Sequence, residues 1–152
     1  MTRFQHLRRD ERGMSFVFVG VGFLAFVAAT TLAIDVGMFM TARSQAQTSA
    51  DAGALAGATA LVFDDFDNRS AGGPAVQSAV NTAMFNDVML GSVAVGPADV
   101  TFPLGPDGVA NRVRVNVFRT DQRENPIPTL IGPMFGVPTV DIRATATAEI
   151  RS

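Results

Sequence analysis

Three different hydrophobic patterns follow one another along this chain. From Met14 to Ile34, 21 consecutive positions carry no charge. At about 1.5 Å per residue a helix over this run is roughly 31 Å long, the thickness of a bilayer core. A cleaved export signal has an apolar core of only about 7–15 residues before a small-residue site, and the sites around Ala28 to Ala33 are weak ones. A helix buried in a soluble domain keeps a polar stripe, for which Phe16, Val17, Phe18, Val19, Val21, Phe23, Leu24, Phe26 and Val27 leave no room. The run is therefore expected to cross a membrane once and to stay attached to the rest of the chain.

The second pattern has a period of four. The stretch from Asp35 to Leu61 is rich in Ala, and Pro74 is the first proline of the chain, so the helix is expected to continue to about residue 62. Ala42, Ala46, Ala50, Ala54 and Ala58 recur every four residues, with Ser49, Gly53 and Gly57 in a neighbouring row. Residues at this spacing share one helix face, and small ones allow another backbone to come close. Two partners fit such a face: the chain's own sheet and second helix, or the helix of a neighbouring subunit. Phe63 to Pro74, with Asp64, Asp65, Asp67 and Gly72-Gly73, has turn chemistry. The three carboxylates lack the Gly and distal Glu of a calcium loop and are expected to be solvated. A second helix is expected from Pro74 to Val88 or Leu90, with Val76, Val80, Met84 and Val88 inward and Gly91 closing it.

The third pattern alternates. Val93 to Phe102 is a strand candidate broken at Gly96-Pro97, and a turn-rich loop from Pro103 to Gly108 leads into Arg112–Arg119. There Val113, Val115 and Val117 face one way and Arg112, Arg114 and Asn116 the other, the mark of a half-buried antiparallel strand. A short apolar stretch through Phe135 is expected to make a helical turn or two ended by Gly136. In the last strand Val140, Ile142, Ala144, Ala146, Ala148 and Ile150 point inward, opposite Asp141, Arg143, Thr145, Thr147, Glu149 and Arg151. The fold class expected is α+β: a long N-terminal helix, a second helix and a small antiparallel sheet.

Composition narrows the chemistry. The chain has no Cys and no Lys, and its one His, His6, sits in the charged start. A thiolate nucleophile, a Cys-based metal site, a Walker A loop and Schiff-base chemistry are thereby excluded, and a lone imidazole assembles neither a triad nor a metal centre. No cofactor and no enzymatic activity are expected. A net charge of −2 gives no basic face for nucleic acid. Arg3, Arg8, Arg9 and Arg12 precede the apolar run, whereas Arg43 is the first after it. The positive-inside rule then divides the chain into a cytoplasmic tail, 1–13, a transmembrane helix, 14–34, and an exported domain, 35–152.

Three stretches of the chain carry a family likeness. Arg12-Gly13-Met14-Ser15, then Leu32-Ala33-Ile34-Asp35-Val36-Gly37, then Gln47-Thr48-Ser49-Ala50-Asp51-Ala52-Gly53-Ala54-Leu55-Ala56-Gly57-Ala58 resemble the TadE/TadG-like proteins of tight-adherence (Flp) pilus loci. The likeness is closest over Arg9 to Leu61, and Gly136 to Ala148 also suits the family. It implies a pilin-like accessory protein in the bacterial inner membrane, its C-terminal domain periplasmic or extracellular, acting with other pilus-assembly or envelope proteins and open to homo-oligomerisation. Longer relatives carry a von Willebrand type A domain with an Asp-x-Ser-x-Ser metal site, a motif this chain lacks. In relatives cut by a prepilin peptidase a Glu stands five residues after the Gly; counted from Gly13, that position is Phe18. The residues expected to serve helix packing or assembly are Asp35, Ala46, Ser49, Ala50, Gly53 and Gly57. For Asp35 two readings stand: a marker of the outer water boundary, or a partner for an Arg of another assembly protein. The rival function is a tethered exported module that binds a ligand or surface, which would expose an aromatic patch drawn from Phe63, Phe66, Phe85, Phe102, Phe118 and Phe135, most of which are expected in the core.

Overall fold

The computed structural model describes residues 11–106 and 108–150. His6, Arg151, Asp107 and nearly all of the tail assigned to 1–13 lie outside the described residues. One helix, α1, runs unbroken from Glu11 to Phe63, about 80 Å at 1.5 Å per residue. Its N-terminal part stands clear of the other described residues. The large apolar side chains from Phe16 to Val27 that fill the uncharged run are all exposed. At about 1.5–3 kcal/mol for burying each, they leave on the order of 20 kcal/mol unclaimed in water. The C-terminal part of α1 carries the domain.

The second helix, α2, spans Pro74–Phe85, with proline in its first turn as expected. Its buried face is Ala75, Val76, Ala79, Val80 and Ala83. It ends before the Val88 or Leu90 read from the sequence, and Met84 lies outside the core. The cause is local competition for carbonyls. Asn86 turns its side-chain amide back to the Thr82 carbonyl at 2.8 Å and its backbone N–H to Ala83 at 3.1 Å, and the buried Ser49 hydroxyl donates to the same Ala83 carbonyl at 2.8 Å.

The strands are β1 (Val100–Thr101), β2 (Arg112–Arg119), β3 (Ile127–Pro128), β4 (Thr139–Val140) and β5 (Ile142–Glu149). The order β1-β2-β5 forms an antiparallel sheet, and β3 with β4 a separate short ribbon. Gly96-Pro97 does break the first strand candidate: Pro97–Asp99 is one tight helical turn, before which Ala94 makes a single bridge to Phe118 and after which Val100 pairs with Val115 and Thr101 with Arg114. On the inner face Val113, Val115, Val117, Ile142, Ala144 and Ala146 are buried as the alternation predicted. The outer face is held by cross-strand pairs: Arg112 with Glu149 at 2.8 Å, Arg114 with Thr147 at 3.1 Å, and Thr145 with Asn116 at 2.7 Å.

The core is built from Ala and Val, with Leu61, Ile127 and Ile142 as its larger members. Among the described residues no Phe is buried in it and only Phe102 packs against its edge, which corrects the expectation that most of the phenylalanines are core. Phe63, Phe66, Phe85 and Phe135 are exposed, and Phe102 and Phe118 are half-buried. Helices brought this close leave room for methyl and isopropyl groups but not for rings. Two Arg cover some of the rings instead: Arg69 stacks 4.7 Å over Phe66, and Arg123 stacks 4.8 Å over Phe118.

After α2 the chain reverses at Val88–Gly91, where Val88 and Gly91 exchange backbone hydrogen bonds across a two-residue turn. Both central residues, Met89 and Leu90, have positive φ, 50° and 62°. This is the mirror-image turn normally made by Asn-Gly; Gly91 closes this turn and not the helix, which is capped at Asn86. The buried Arg119 guanidinium secures it, donating to the carbonyls of Val88, Gly91 and Asn125. Burial pushes the Arg119 pKa down and Asp87 opposes that shift, but an arginine starts high enough to stay charged throughout the working range. Arg119→Met is expected to destabilise the domain by about 2–4 kcal/mol, leaving buried carbonyls unpaired. Chemical denaturation of the detergent-solubilised protein measures this, and the loss should not vary between neutral and mildly acidic pH.

A candidate membrane-boundary site around Asp35

Asp35 is the first charge after the apolar run, and on α1 it would meet lipid or headgroups if nothing covered it. The structure buries it: the residue is 2% exposed. Its cover is the loop between β3 and β4. Oδ1 accepts the Leu130 N–H at 2.8 Å and Oδ2 accepts the Ile131 N–H at 3.0 Å, contacts across 95 and 96 residues of sequence. Neither sequence reading of Asp35 anticipated this. A boundary marker would be solvated, and a carboxylate waiting for a partner's Arg would be open; here each oxygen already holds a backbone donor of its own chain.

The loop that supplies those donors is closed on itself. Thr129 N–H donates to the Pro138 carbonyl at 3.0 Å, Thr129 Oγ1 to Val137 at 2.7 Å, and Val137 N–H to Gly132 at 2.8 Å. Gly132–Phe135 makes the expected helical turn, and Gly136 ends it at φ 76°, a conformation that favours glycine. A Cβ at Gly132 would stand 2.0 Å from the Val137 carbonyl, so the loop closes only around a glycine there. Between loop and helix lies an apolar groove of about 350 Å³, walled by Ala28, Ala29 and Leu32 of α1 and by Ile131, Phe135 and Val137. Asp35 is the one acidic or basic residue type among those lining it, and its oxygens are engaged.

The other expected site residues lie farther along α1. Ala46, Ser49, Ala50 and Gly53 are buried, as is Gly57, and what covers them is the chain itself. A Cβ at Gly53 would meet the Ala79 carbonyl at 2.9 Å and Val115 at 3.4 Å; one at Gly57 would meet Val113 at 2.9 Å and the Ala75 carbonyl at 3.1 Å. The small-residue face is thus wedged between α2 and β2, and of the two partners open to it the structure shows the intramolecular one. The face of α1 left open is a different one: Ala52, Leu55, Ala56, Thr59 and Phe63, with Ser78 and Thr82 of α2, form a shallow groove.

Sequence reading did not foresee the loop's contact with Asp35. The available signal was charge: no ionisable residue occurs between Glu124 and Asp141.

These features define a class of protein: a helix long and apolar enough to cross a membrane, prolonged without a break into the spine of a small α+β domain. Residues 13–60 match the Tad family model, described as Flp pilus-assembly TadE/G-like. The match covers α1 almost from end to end and includes Asp35 and the small-residue face. Neither a curated protein nor a solved structure matches the chain significantly.

Proposed function

We propose that this chain is a membrane-anchored, non-catalytic, pilin-like accessory protein for assembly of a tight-adherence (Flp) pilus, with its N-terminus cytoplasmic and the domain from residue 35 onward on the outer side of the inner membrane. The observation that carries this reading is the coincidence of the family match with α1, whose first part is bare apolar surface and whose second part organises the domain. Asp35, Ala46, Ser49, Ala50, Gly53 and Gly57 then serve assembly by fixing the domain rigidly on its anchor, so that surfaces at a set height above the bilayer meet other pilus-assembly components. The exposed groove with Leu55 and Phe63, the latter 81% exposed, is the surface offered to them.

Phe85, 91% exposed, favours keeping the rival reading in view, since a tethered binding module also needs an exposed aromatic side chain. Deletion of the gene in a piliated strain separates the two. Loss of surface pili, restored by the wild-type chain, is the expected result; normal piliation overturns the assembly role and leaves the binding module. A photo-crosslinker at Leu55 is expected to capture a pilus-assembly component or a second copy. The orientation is checked by single-Cys variants in this Cys-free chain: Thr101→Cys is expected to react with a membrane-impermeant maleimide from the outer side and Thr2→Cys to be protected, the reverse pattern refuting the assignment.

A further inference from the structure

The apolar groove beside Asp35 lies at a level where the surrounding medium is itself informative. Its α1 wall begins at Ala28, seven residues before Asp35 and therefore about 10 Å farther into the apolar run. The loop residues that face this wall must share its depth. We propose that the loop 129–138 is a second membrane contact, an apolar wedge that enters the leaflet on the domain side beside α1, with lipid acyl chains as its occupant. The inference rests on the membrane-anchor reading and adds to it a part of the domain that is distant in sequence.

Three observations point to lipid. The loop turns its largest apolar side chains outward: Met134 is 83% and Phe135 73% exposed, and Leu130 and Val137 are exposed as well. No charge interrupts the chain between Glu124 and Asp141, so the wedge is bounded by the first ionisable residues on each side. Most of its backbone donors are also engaged within the chain: six of its eight N–H groups, those of Thr129, Leu130, Ile131, Met134, Gly136 and Val137, are donated internally, and Pro133 and Pro138 have none to donate. Irregular backbone is tolerated at membrane depth only when its polar groups are satisfied internally. The depth implied by Ala28 agrees with the roughly 5–10 Å by which interfacial elements sink into the headgroup and acyl boundary. A soluble partner would have to reach this groove through the bilayer surface, whereas acyl chains already surround its α1 wall, which is continuous with the exposed anchor.

The Cys-free full-length chain allows a direct test. Met134→Cys, Leu24→Cys and Thr101→Cys, each carrying an environment-sensitive fluorophore, are reconstituted in vesicles of phosphatidylethanolamine and phosphatidylglycerol containing lipids spin-labelled near the headgroup or near the bilayer centre. The label at 134 is expected to emit to the blue of that at 101 and to be quenched more by the shallow than by the deep spin label. The label at 24 should show the opposite order, and that at 101 should respond only to aqueous iodide. Iodide quenching at 134, with 24 still quenched from the bilayer centre, overturns the wedge and leaves the anchor intact. Protection of 134 from both iodide and spin-labelled lipid marks a protein occupant and also overturns it. Iodide quenching at 24 overturns the anchor and the wedge together.

Discussion

Asp35→Ala is expected to release the loop 129–138 from α1 without unfolding the sheet. The substitution removes the two oxygens that accept the Leu130 and Ile131 N–H groups, at 2.8 and 3.0 Å, inside an apolar enclosure. Hydrogen bonds to a charged group contribute about 1.5–3 kcal/mol each, so with both lost the local opening free energy should fall by about 3–5 kcal/mol. Amide hydrogen exchange reads this directly: Leu130 and Ile131 should exchange roughly 10²–10⁴ times faster, one factor of ten for each 1.4 kcal/mol. The strands β2 and β5, which contact neither group, should keep their protection. Asp35→Asn should fall between wild type and Ala, because an amide offers one acceptor oxygen and turns a donor toward the other N–H. Unchanged exchange at both amides in Asp35→Ala would show that the carboxylate is not the clamp. The same variant bears on assembly: normal pili from a chain with a freed loop would remove any role for Asp35 beyond the protein's own architecture.

That clamp also shows which parts of the molecule could be read from its sequence. Period-four Ala from Ala42 to Ala58 and period-two Val from Val113 to Val117 are local consequences of helix and strand geometry, and the residues they mark as inward are inward. The Asp35 contact joins positions 95 residues apart and leaves no periodic trace. The apolar loop around Phe135 was recognisable as a helical turn, but what it lies against was not. The end of α2 was misplaced for a related reason: Val88 fits the helical period and is buried, yet it reaches the core from the turn that Arg119 holds. Met89 and Leu90 give no local warning of positive φ, since neither favours it; the conformation is imposed by the exchange between Val88 and Gly91 and by a guanidinium from a distant strand. The phenylalanines were misjudged because hydrophobicity ranks them as core, while the close approach of α1, α2 and β2 leaves space only for smaller groups.

That close approach makes Gly53 and Gly57 sensitive positions of α1. By helix propensity alone, Gly→Ala in the interior of α1 should stabilise by about 0.5–1 kcal/mol. Gly37 is the control, since a Cβ there meets nothing within 4 Å, and Gly37→Ala should show this small gain. At Gly53 the sign should reverse, because the new methyl would stand 2.9 Å from the Ala79 carbonyl and 3.0 Å from the Ala83 Cβ. Backbone oxygen cannot swing aside as a side chain can, so α2 itself must shift, and overpacking of this kind costs about 1–3 kcal/mol. Gly57→Ala meets Val113 Cγ1 at 2.9 Å, Ala79 Cβ at 3.0 Å and Ala75 O at 3.1 Å; two of the three belong to α2, so a loss of the same order is expected there. Leu at both positions removes any local adjustment: α2 has to leave its seat, exposing the buried Ala and Val of three elements. Gly53→Leu/Gly57→Leu should therefore lose the cooperative unfolding transition of the domain while the chain still partitions into membranes, because the apolar part of α1 is untouched. Denaturation followed by circular dichroism in detergent, beside a carbonate extraction of membranes, separates the two properties. If the double variant unfolded as cooperatively as wild type, the face would not be clamped by α2 and β2, and it would be free to take a neighbouring subunit's helix.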